Sequence, residues 1–175
     1  MERLVAYIAG AIIAMLALAG VSSYAMRAYH GSGTTQAIAQ ATDIYHSARS
    51  VFGNSVAGGL ASYSDINNYN AIRAGIVPSA MTNGDGQTIT GPWTGSTVTL
   101  TGNTNTLYED WNSIPSASCA QFALSQPANF VMVNGTGVWI DNTSSSVAGN
   151  IAAACNQGNA SVSEIKFSYV DTAGQ

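Results

Sequence analysis

A run of 23 residues without a charged side chain, Leu4 to Met26, lies near the start of this 175-residue chain. As an α-helix rising about 1.5 Å per residue, the run would span roughly 34 Å, which is enough to cross the hydrocarbon of a bilayer. The residues after Arg27 are polar and rich in Gly, Ser, Thr and Asn. The chain therefore combines one apolar N-terminal helix with one soluble-looking head, and the helix needs either a membrane or copies of itself.

Three interpretations of this run stay open on the residues alone. A cleaved signal peptide has a basic start, a short apolar core and a small-residue cleavage site, whereas this run is long and Glu2 precedes Arg3. A plain membrane anchor fits the length but gains nothing from a carboxylate at position 2. The third interpretation is an assembly helix that packs against copies of itself in a filament.

The composition limits the classes of function. Only 8% of the residues are charged, compared with about 25% in an ordinary soluble domain. The formal net charge is −4, so no basic field attracts nucleic acid and no nucleic-acid partner is expected. The length allows one globular domain beside the helix. We predict a helix over residues 1–52, apolar and then amphipathic, and a head domain over residues 53–175.

Two cysteines, Cys119 and Cys155, are present in the chain. In a cytosolic protein they would be free buried thiols, but an export-type N-terminus favours one disulfide between them. Closing that loop would stabilise the fold by about 3–4 kcal/mol in the chain-entropy estimate. Neither cysteine has CxxC spacing or a nearby histidine, so no metal site and no cofactor are expected.

The pattern after Arg27 predicts that the helix continues to about residue 52. Apolar residues recur at spacings of three and four on one face: Ile38, Ala41, Ile44, Ala48 and Val51. Tyr45 and Phe52 widen that face, and polar residues occupy the other one: Gln40, Asp43, His46, Arg49 and Ser50. The second half of the helix should therefore pack on the head.

Glycines mark the weak points of this helix, because each costs about 1 kcal/mol relative to alanine. They are Gly20, Gly31 and Gly33. Three interpretations of these glycines stay open. The helix tolerates them, it truly breaks at one of them, or they are flexible points at which it unwinds during assembly.

The rest of the chain predicts an α+β head. Short helices are expected over residues 65–74 with Ser64 as N-cap, from Pro115 to Leu124, and over residues 147–155. Runs typical of strands occur at residues 88–90, 96–100, 107–111, 130–133, 138–140 and 165–170. Asn134-Gly135 is a hairpin signal, and the distance to Val138 suggests a loop longer than two residues.

Three stretches occur in a characteristic order after the long helix. Tyr69 is followed by Ile72-Arg73-Ala74-Gly75-Ile76-Val77-Pro78-Ser79-Ala80-Met81, then come Gly91-Pro92-Trp93-Thr94-Gly95 and Ile114-Pro115-Ser116-Ala117-Ser118-Cys119. This order resembles type IVb pilins over essentially the whole chain. The resemblance is greatest to the thin-pilus major pilins of conjugative plasmids and enteric adherence systems.

The resemblance implies a fold and a function. The fold is the α+β lollipop of pilins, with a long N-terminal α-helix and an antiparallel β-sheet head closed by a C-terminal disulfide. The function is that of a structural subunit rather than an enzyme. Such a subunit polymerises into a type IV pilus with its helix in the filament core and its head on the surface, and it serves attachment, aggregation or conjugative mating contact.

The resemblance also implies which residues mediate assembly. They are Met1, Glu2, Arg3, Leu4, Ile8, Ala11, Met15 and Leu18. A carboxylate in an apolar filament core needs a cation, so Glu2 is expected to pair with the N-terminal ammonium of Met1 on a neighbouring subunit. In the alternative interpretation, Glu2 and Arg3 lie at the membrane interface.

The partners implied by the resemblance are other copies of the chain, the pilus assembly machinery and a prepilin peptidase, with methylation of the N-terminus. The chain would lie in the bacterial inner membrane before assembly and then in an extracellular pilus on the cell surface. The alternatives are a minor pilin, a secretion-system pseudopilin, or a membrane-anchored surface binding domain that does not polymerise.

Other kinds of site have little support in the sequence. His30 and His46 lie on the predicted helix, and no Ser-His-Asp spacing, phosphate loop or HExxH motif is present. Asp85, between two glycines, indicates a turn more strongly than a calcium loop. The three tryptophans could form a sugar-binding surface, although packing in the head is the stronger interpretation for Trp93, Trp111 and Trp139.

Overall fold

The structure is a computed structural model that describes residues 31–53, 62–140, 146–157 and 161–171. The chain divides into two compact units, Met1–Ser32 and Gly33–Gln175, and the second contains the sheet described below. No helix in the described ranges is long and apolar enough to cross a membrane. The predicted apolar helix over residues 4–26 lies outside these ranges, and a division of the chain at residue 52 stays a prediction.

Helices α1 to α4 are numbered here in chain order. Helix α1 covers residues 31–48 and continues into a π-helical turn, Arg49–Gly53. The others are α2 (Asn68–Arg73), α3 (Ser116–Ala123) and α4 (Val147–Cys155), and one 3-10 turn covers Ser79–Met81. Helices α1, α3 and α4 contribute buried side chains to a single hydrophobic core.

The strands of the described residues form one antiparallel sheet in the order β1-β2-β3-β6-β4-β5. They are Ile89–Thr90, Thr97–Gly102, Thr106–Pro115, Phe130–Val133, Thr136–Trp139 and Val162–Val170, numbered β1 to β6. Strand β6 pairs with β3 on one side and with β4 on the other, so the last strand in the sequence joins the two halves of the sheet. The predicted α+β fold with an antiparallel sheet is confirmed.

Alternation along the strands separates the two faces of the sheet. On β3, the side chains of Leu107, Glu109 and Trp111 are buried, whereas Tyr108 and Asp110 are partly exposed. Successive side chains of a strand point to opposite faces, so the buried set lies on the face that the helices cover. We call this the helix-bearing face, and the opposite one the open face.

An aromatic cluster at Phe122 of α3 fixes this helix to the sheet. The Phe122 ring makes edge contacts with Trp93, Trp111 and Phe167, at centroid distances of 5.6, 5.0 and 5.2 Å. Edge-to-face contacts place the positive edge of one ring on the negative face of another, which adds to the gain from burial. The cluster connects α3 to β3, to β6 and to the segment before β2.

Gln40 was expected on the polar face of α1 but is buried. Three further details differ from the sequence-based expectations. Helix α2 begins at Asn68 because the Asn67 side chain, rather than Ser64, accepts a hydrogen bond from Asn70 N at 2.9 Å. The β4–β5 hairpin has a two-residue turn at Asn134 and Gly135, both with positive φ, so Thr136 already pairs with Val133.

The third difference is the exposure of Val51, which was expected on the buried face of α1 but is 46% exposed. The π-helical turn that begins at Arg49 is wider than an α-helical turn. The spacing of three and four residues that holds through Ala48 therefore no longer applies at Val51.

Candidate functional site

The docking of α1 on the head is the feature of the described residues most directly related to the predicted assembly helix. Its inward side chains are fully buried and mostly small: Ala37, Ala41, Ile44 and Ala48. They recur at helical spacing, as the sequence predicted for the last three. Alanine side chains allow the helix backbone to lie close to the layer beneath it.

Polar contacts define the position of α1 along the head. Thr34 Oγ1 donates to Ser118 Oγ of α3 at 2.8 Å, and both residues are buried. Gln126 Nε2 donates to the backbone carbonyl of Ile38 at 3.2 Å. Unlike apolar contacts, hydrogen bonds between buried groups fail when the helix slides by one residue, so they specify its register.

Gly33 allows α1 to approach the head closely at its upstream end. A Cβ atom at this position would lie 2.8 Å from Nε1 of Trp93, which is closer than real Cβ atoms come to other atoms. Trp93 belongs to the Gly-Pro-Trp-Thr-Gly stretch that supported the pilin resemblance. Gly31 and Gly33 are both helical in this structure, and their role as flexible points in assembly stays a prediction.

A charged and hydrogen-bonded cluster holds the downstream end of α1. Asp171, just after β6, accepts a hydrogen bond from the Tyr63 hydroxyl, and its other oxygen lies 3.1 Å from Arg49 Nε. The Asp171 side chain is 13% exposed and the Arg49 side chain is 55% exposed, so only the carboxylate of this ion pair is shielded from solvent. Burial and then the contact with Asp171 raise the pKa of Tyr63, which stays a hydrogen-bond donor.

A buried carboxyl group lies on the helix-bearing face of strand β3. Glu109 is completely buried, and its Oε2 accepts from Trp111 Nε1 at 3.2 Å. Its Oε1 has no hydrogen-bond partner among the residues that the structure describes. Burial raises the pKa of Glu109 to about 8, because the charged form is poorly solvated there.

Tyr169 connects this buried group to α1. Its ring stacks on Tyr45 of α1 with a centroid distance of 4.4 Å. Burial raises the pKa of Tyr169, and the nearby charge of Glu109 raises it further. Sequence reasoning missed the burial of Glu109, although strict alternation along β3 already put its side chain on the same face as those of Leu107 and Trp111.

Helices α3 and α4 are joined by the predicted disulfide between Cys119 and Cys155, whose Cα atoms are 5.9 Å apart. Cys119 is fully buried and Cys155 nearly so. The bond attaches α4 to the helix that carries Phe122, and through it to the sheet. The pairing expected from the export-type N-terminus is confirmed.

The model of a protein family, described as PilS N terminal, matches residues 32–166 of this chain. That range includes the docked part of α1, both cysteines and strands β1 to β5 complete. The chain belongs to the PilS N-terminal family. It is a type IVb pilin by family, and the pilin resemblance inferred from the sequence is confirmed.

A solved structure supports the fold of this pilin independently. The type IVb pilin from Salmonella typhi aligns with a TM-score of 0.56 at 16% sequence identity, covering 77% of this chain and 98% of that chain. Agreement at this low identity shows the pilin fold alone. No curated protein gives a significant match to the chain. The family and the fold are those of a structural subunit rather than an enzyme.

The predicted assembly residues of this pilin are not among the residues that the structure describes. They are Met1, Glu2, Arg3, Leu4, Ile8, Ala11, Met15 and Leu18, together with the predicted flexible position Gly20. What the structure adds is the anchorage that follows them: Gly33 against Trp93, Thr34 against Ser118, and Arg49 against Asp171. No local sequence motif indicated these three pairs, because their members lie far apart in the chain.

Two features that sequence analysis left open are resolved by the structure of the head. Asp85 forms a turn, since its Oδ1 accepts from the backbone N–H groups of Gln87 and Thr88, both at 2.7 Å. Hydrogen bonds from Thr88 hold the pKa of Asp85 well below its usual range. Trp93 and Trp111 are buried as expected, but Trp139 is 64% exposed on the edge strand β5.

The disulfide gives a first testable prediction. Changing both Cys119 and Cys155 to serine should destabilise the head by about 3–4 kcal/mol, because the unfolded chain regains the entropy of the closed loop. The melting temperature of a fragment comprising residues 33–175 should fall by on the order of 10 °C. Reduced wild-type fragment should melt close to the double variant. If the double variant has the same melting temperature as the oxidised wild type, the disulfide adds no stability.

Proposed function

We propose that this pilin is the major structural subunit of a type IV pilus. In the sequence, the uncharged run of residues 4–26 precedes helix α1, whose own apolar face is already occupied by the head, and this observation carries the proposal. An apolar segment of that length requires burial elsewhere. In a filament, copies of the same segment bury one another in the core, and the heads form the outer surface.

The assembly residues have separate roles in this proposal. Leu4, Ile8, Ala11, Met15 and Leu18 contact the same segment of neighbouring subunits. Glu2 pairs with the N-terminal ammonium of Met1 on a neighbour, with Arg3 as the other available cation. Bending at Gly20, Gly31 and Gly33 adjusts the helix during assembly. A bend at Gly33 would have to move the helix away from Trp93, against which this glycine packs.

The proposal includes a route to the filament, and membership of the pilin family supports it. The apolar segment holds the chain in the bacterial inner membrane before assembly. A prepilin peptidase processes it, its N-terminus is methylated, and the pilus assembly machinery adds it to the extracellular pilus. The filament then serves attachment, aggregation or conjugative mating contact between cells.

Electron microscopy of material sheared from cells that express the chain tests this function. Filaments are expected, and mass spectrometry should find this chain as their main component. Filaments composed mainly of another pilin would instead assign it as a minor pilin or a pseudopilin. If the chain stays on the cell surface without any filament, it is an anchored binding domain, and the proposal fails.

The role of Glu2 gives a second prediction. Glu2→Ala should reduce filament yield at least tenfold without changing the melting temperature of the head, because the lost partner belongs to another subunit. Loss of a partner for a buried charge is worth several kcal/mol, and 1.4 kcal/mol already changes an equilibrium constant tenfold. Arg3→Ala is the matched control and should have the smaller effect. Normal filaments from Glu2→Ala would leave only the interfacial interpretation.

A further inference from the structure

The open face of the sheet carries a row of aromatic side chains around one small residue. The register of β3, β6, β4 and β5 places Tyr108, Ser168, Phe130 and Trp139 side by side in this row. Because Ser168 is short between two rings, an open hollow of about 370 Å³ lies above it. We call it the aromatic hollow, and its lining includes Tyr108, Phe130, Met132, Trp139, Lys166 and Ser168.

Trp139 is held in an exposed position at the rim of this hollow. The Phe130 ring lies over Gly137, where a Cβ atom would come within 2.5 Å of it. From there the ring contacts Trp139, at a centroid distance of 4.9 Å and an angle of 59°. The glycine thus allows one aromatic ring to support another, and most of the indole still faces solvent. Fixed, exposed aromatic surface is a common feature of recognition sites.

The polar groups of the aromatic hollow favour an uncharged ligand. Lys166 Nζ lies 3.2 Å from Asp110 Oδ2, so the one cation that the described residues contribute to the lining is balanced by a neighbouring carboxylate. The hydroxyl groups of Tyr108, Ser168 and Thr106 add neutral donors and acceptors at the floor and the edge. An anionic ligand would have to compete with Asp110 for Lys166, and a cationic ligand would have to compete with Lys166 for Asp110.

The surroundings argue against a peptide or an acyl chain in this place. Strands β3, β6 and β4 are each paired on both sides, so the floor offers no free backbone groups for an added strand. The hollow is open to water, whereas an acyl chain needs an enclosed apolar channel. A hexose ring matches both the exposed aromatic surface and the neutral polar groups of the hollow, because one C–H face of the ring is apolar and its edge carries hydroxyl groups.

We infer that the aromatic hollow binds a neutral hexose unit of a glycan, with an apolar sugar face on Trp139 and sugar hydroxyls toward Lys166 and Ser168. The inference goes beyond the filament role and does not depend on it, since the hollow is formed within one subunit. It assigns to the head of this pilin a ligand class that its family and fold do not specify.

Binding of simple glycosides to the full-length chain, in a detergent without a sugar headgroup, tests this inference. The probes are the methyl glycosides of glucose, galactose, mannose and N-acetylglucosamine, followed by saturation-transfer NMR and tryptophan fluorescence. At least one should bind saturably, with a Kd in the millimolar range that is usual for small weak ligands. Trp139→Ala should raise this Kd tenfold or more, and Trp139→Tyr should restore part of the affinity.

Two further variants make the test specific to the hollow. Ser168→Val fills the floor with a residue that strands favour, and it should abolish binding with Trp139 still in place. Tyr69→Ala removes another exposed aromatic side chain, on α2, and should leave binding unchanged. Melting curves of each variant show that it is folded. The inference is overturned if no glycoside binds the wild type, or if Trp139→Ala and Ser168→Val bind as the wild type does.

Discussion

Leu18→Asp is expected to abolish filaments while the head keeps its fold. Leu18 lies well inside the uncharged run of residues 4–26, where the proposed filament buries each apolar side chain among copies of the same segment. A carboxylate at such a place loses its hydration without gaining a cation, which costs several kcal/mol for every subunit. The measurements are filament yield in sheared material and the melting temperature of the head.

Two controls separate assembly from its earlier steps. Leu18→Ile keeps the apolar volume and should give normal filaments. Leu124→Asp makes the same chemical change on the head, where the leucine is 43% exposed, and should leave the head folded and the filament yield normal. Because an aspartate also disfavours membrane insertion by about 2.5–3.5 kcal/mol, the membrane fraction should be assayed for each variant. Normal filaments from Leu18→Asp would show that this segment lies outside the filament core.

The sequence predicted those features of the fold that depend on local pattern. Alternating β-branched runs indicated the strands, and helical spacing indicated the buried side chains of α1 from Ala41 to Ala48. The two cysteines indicated their bond because an export-type N-terminus implies an oxidising compartment. The order of three short motifs then indicated the family, since each motif alone is common but their succession is not.

The expectations that failed were decided by tertiary contacts. Thr136 and Gly137 looked like loop residues, because glycine is depleted in strands. In the structure Gly137 belongs to β5, where the Phe130 ring occupies the space of its missing side chain. The exposure of Val51 likewise depends on a π-helical turn that residue spacing does not reveal. Pairs such as Arg49 and Asp171 meet only once the chain is folded.

Glu109 could have been recognised, and it leads to the prediction with the largest effect on stability. A carboxyl group that is completely buried beside one indole N–H is expected to stay protonated at neutral pH. Its pKa of about 8 in the folded head compares with an ordinary value of 4.5, which we take for the unfolded chain. The folded state therefore holds this proton over a range of pH in which the unfolded state has released it.

The sign of the pH dependence follows from this difference. Below about pH 4.5 both states are protonated at Glu109, and its contribution to stability is fully present. Between pH 4.5 and 8 the unfolded chain ionises while the folded head does not, so the free energy of unfolding falls as the pH rises. The total loss is on the order of 4–5 kcal/mol at 1.36 kcal/mol for each pKa unit, and it levels off above pH 8.

Glu109→Gln should remove this dependence, because an amide resembles the protonated acid at every pH. Urea unfolding of the fragment 33–175, followed by tryptophan fluorescence from pH 5 to 9, measures it. The variant should be close to wild type in stability at pH 5 and several kcal/mol more stable at pH 8. Glu164→Gln changes an exposed glutamate on β6 and should keep the wild-type pH profile. If Glu109→Gln also keeps that profile, Glu109 is not the group that titrates, and its carboxyl is already ionised in the folded head at neutral pH.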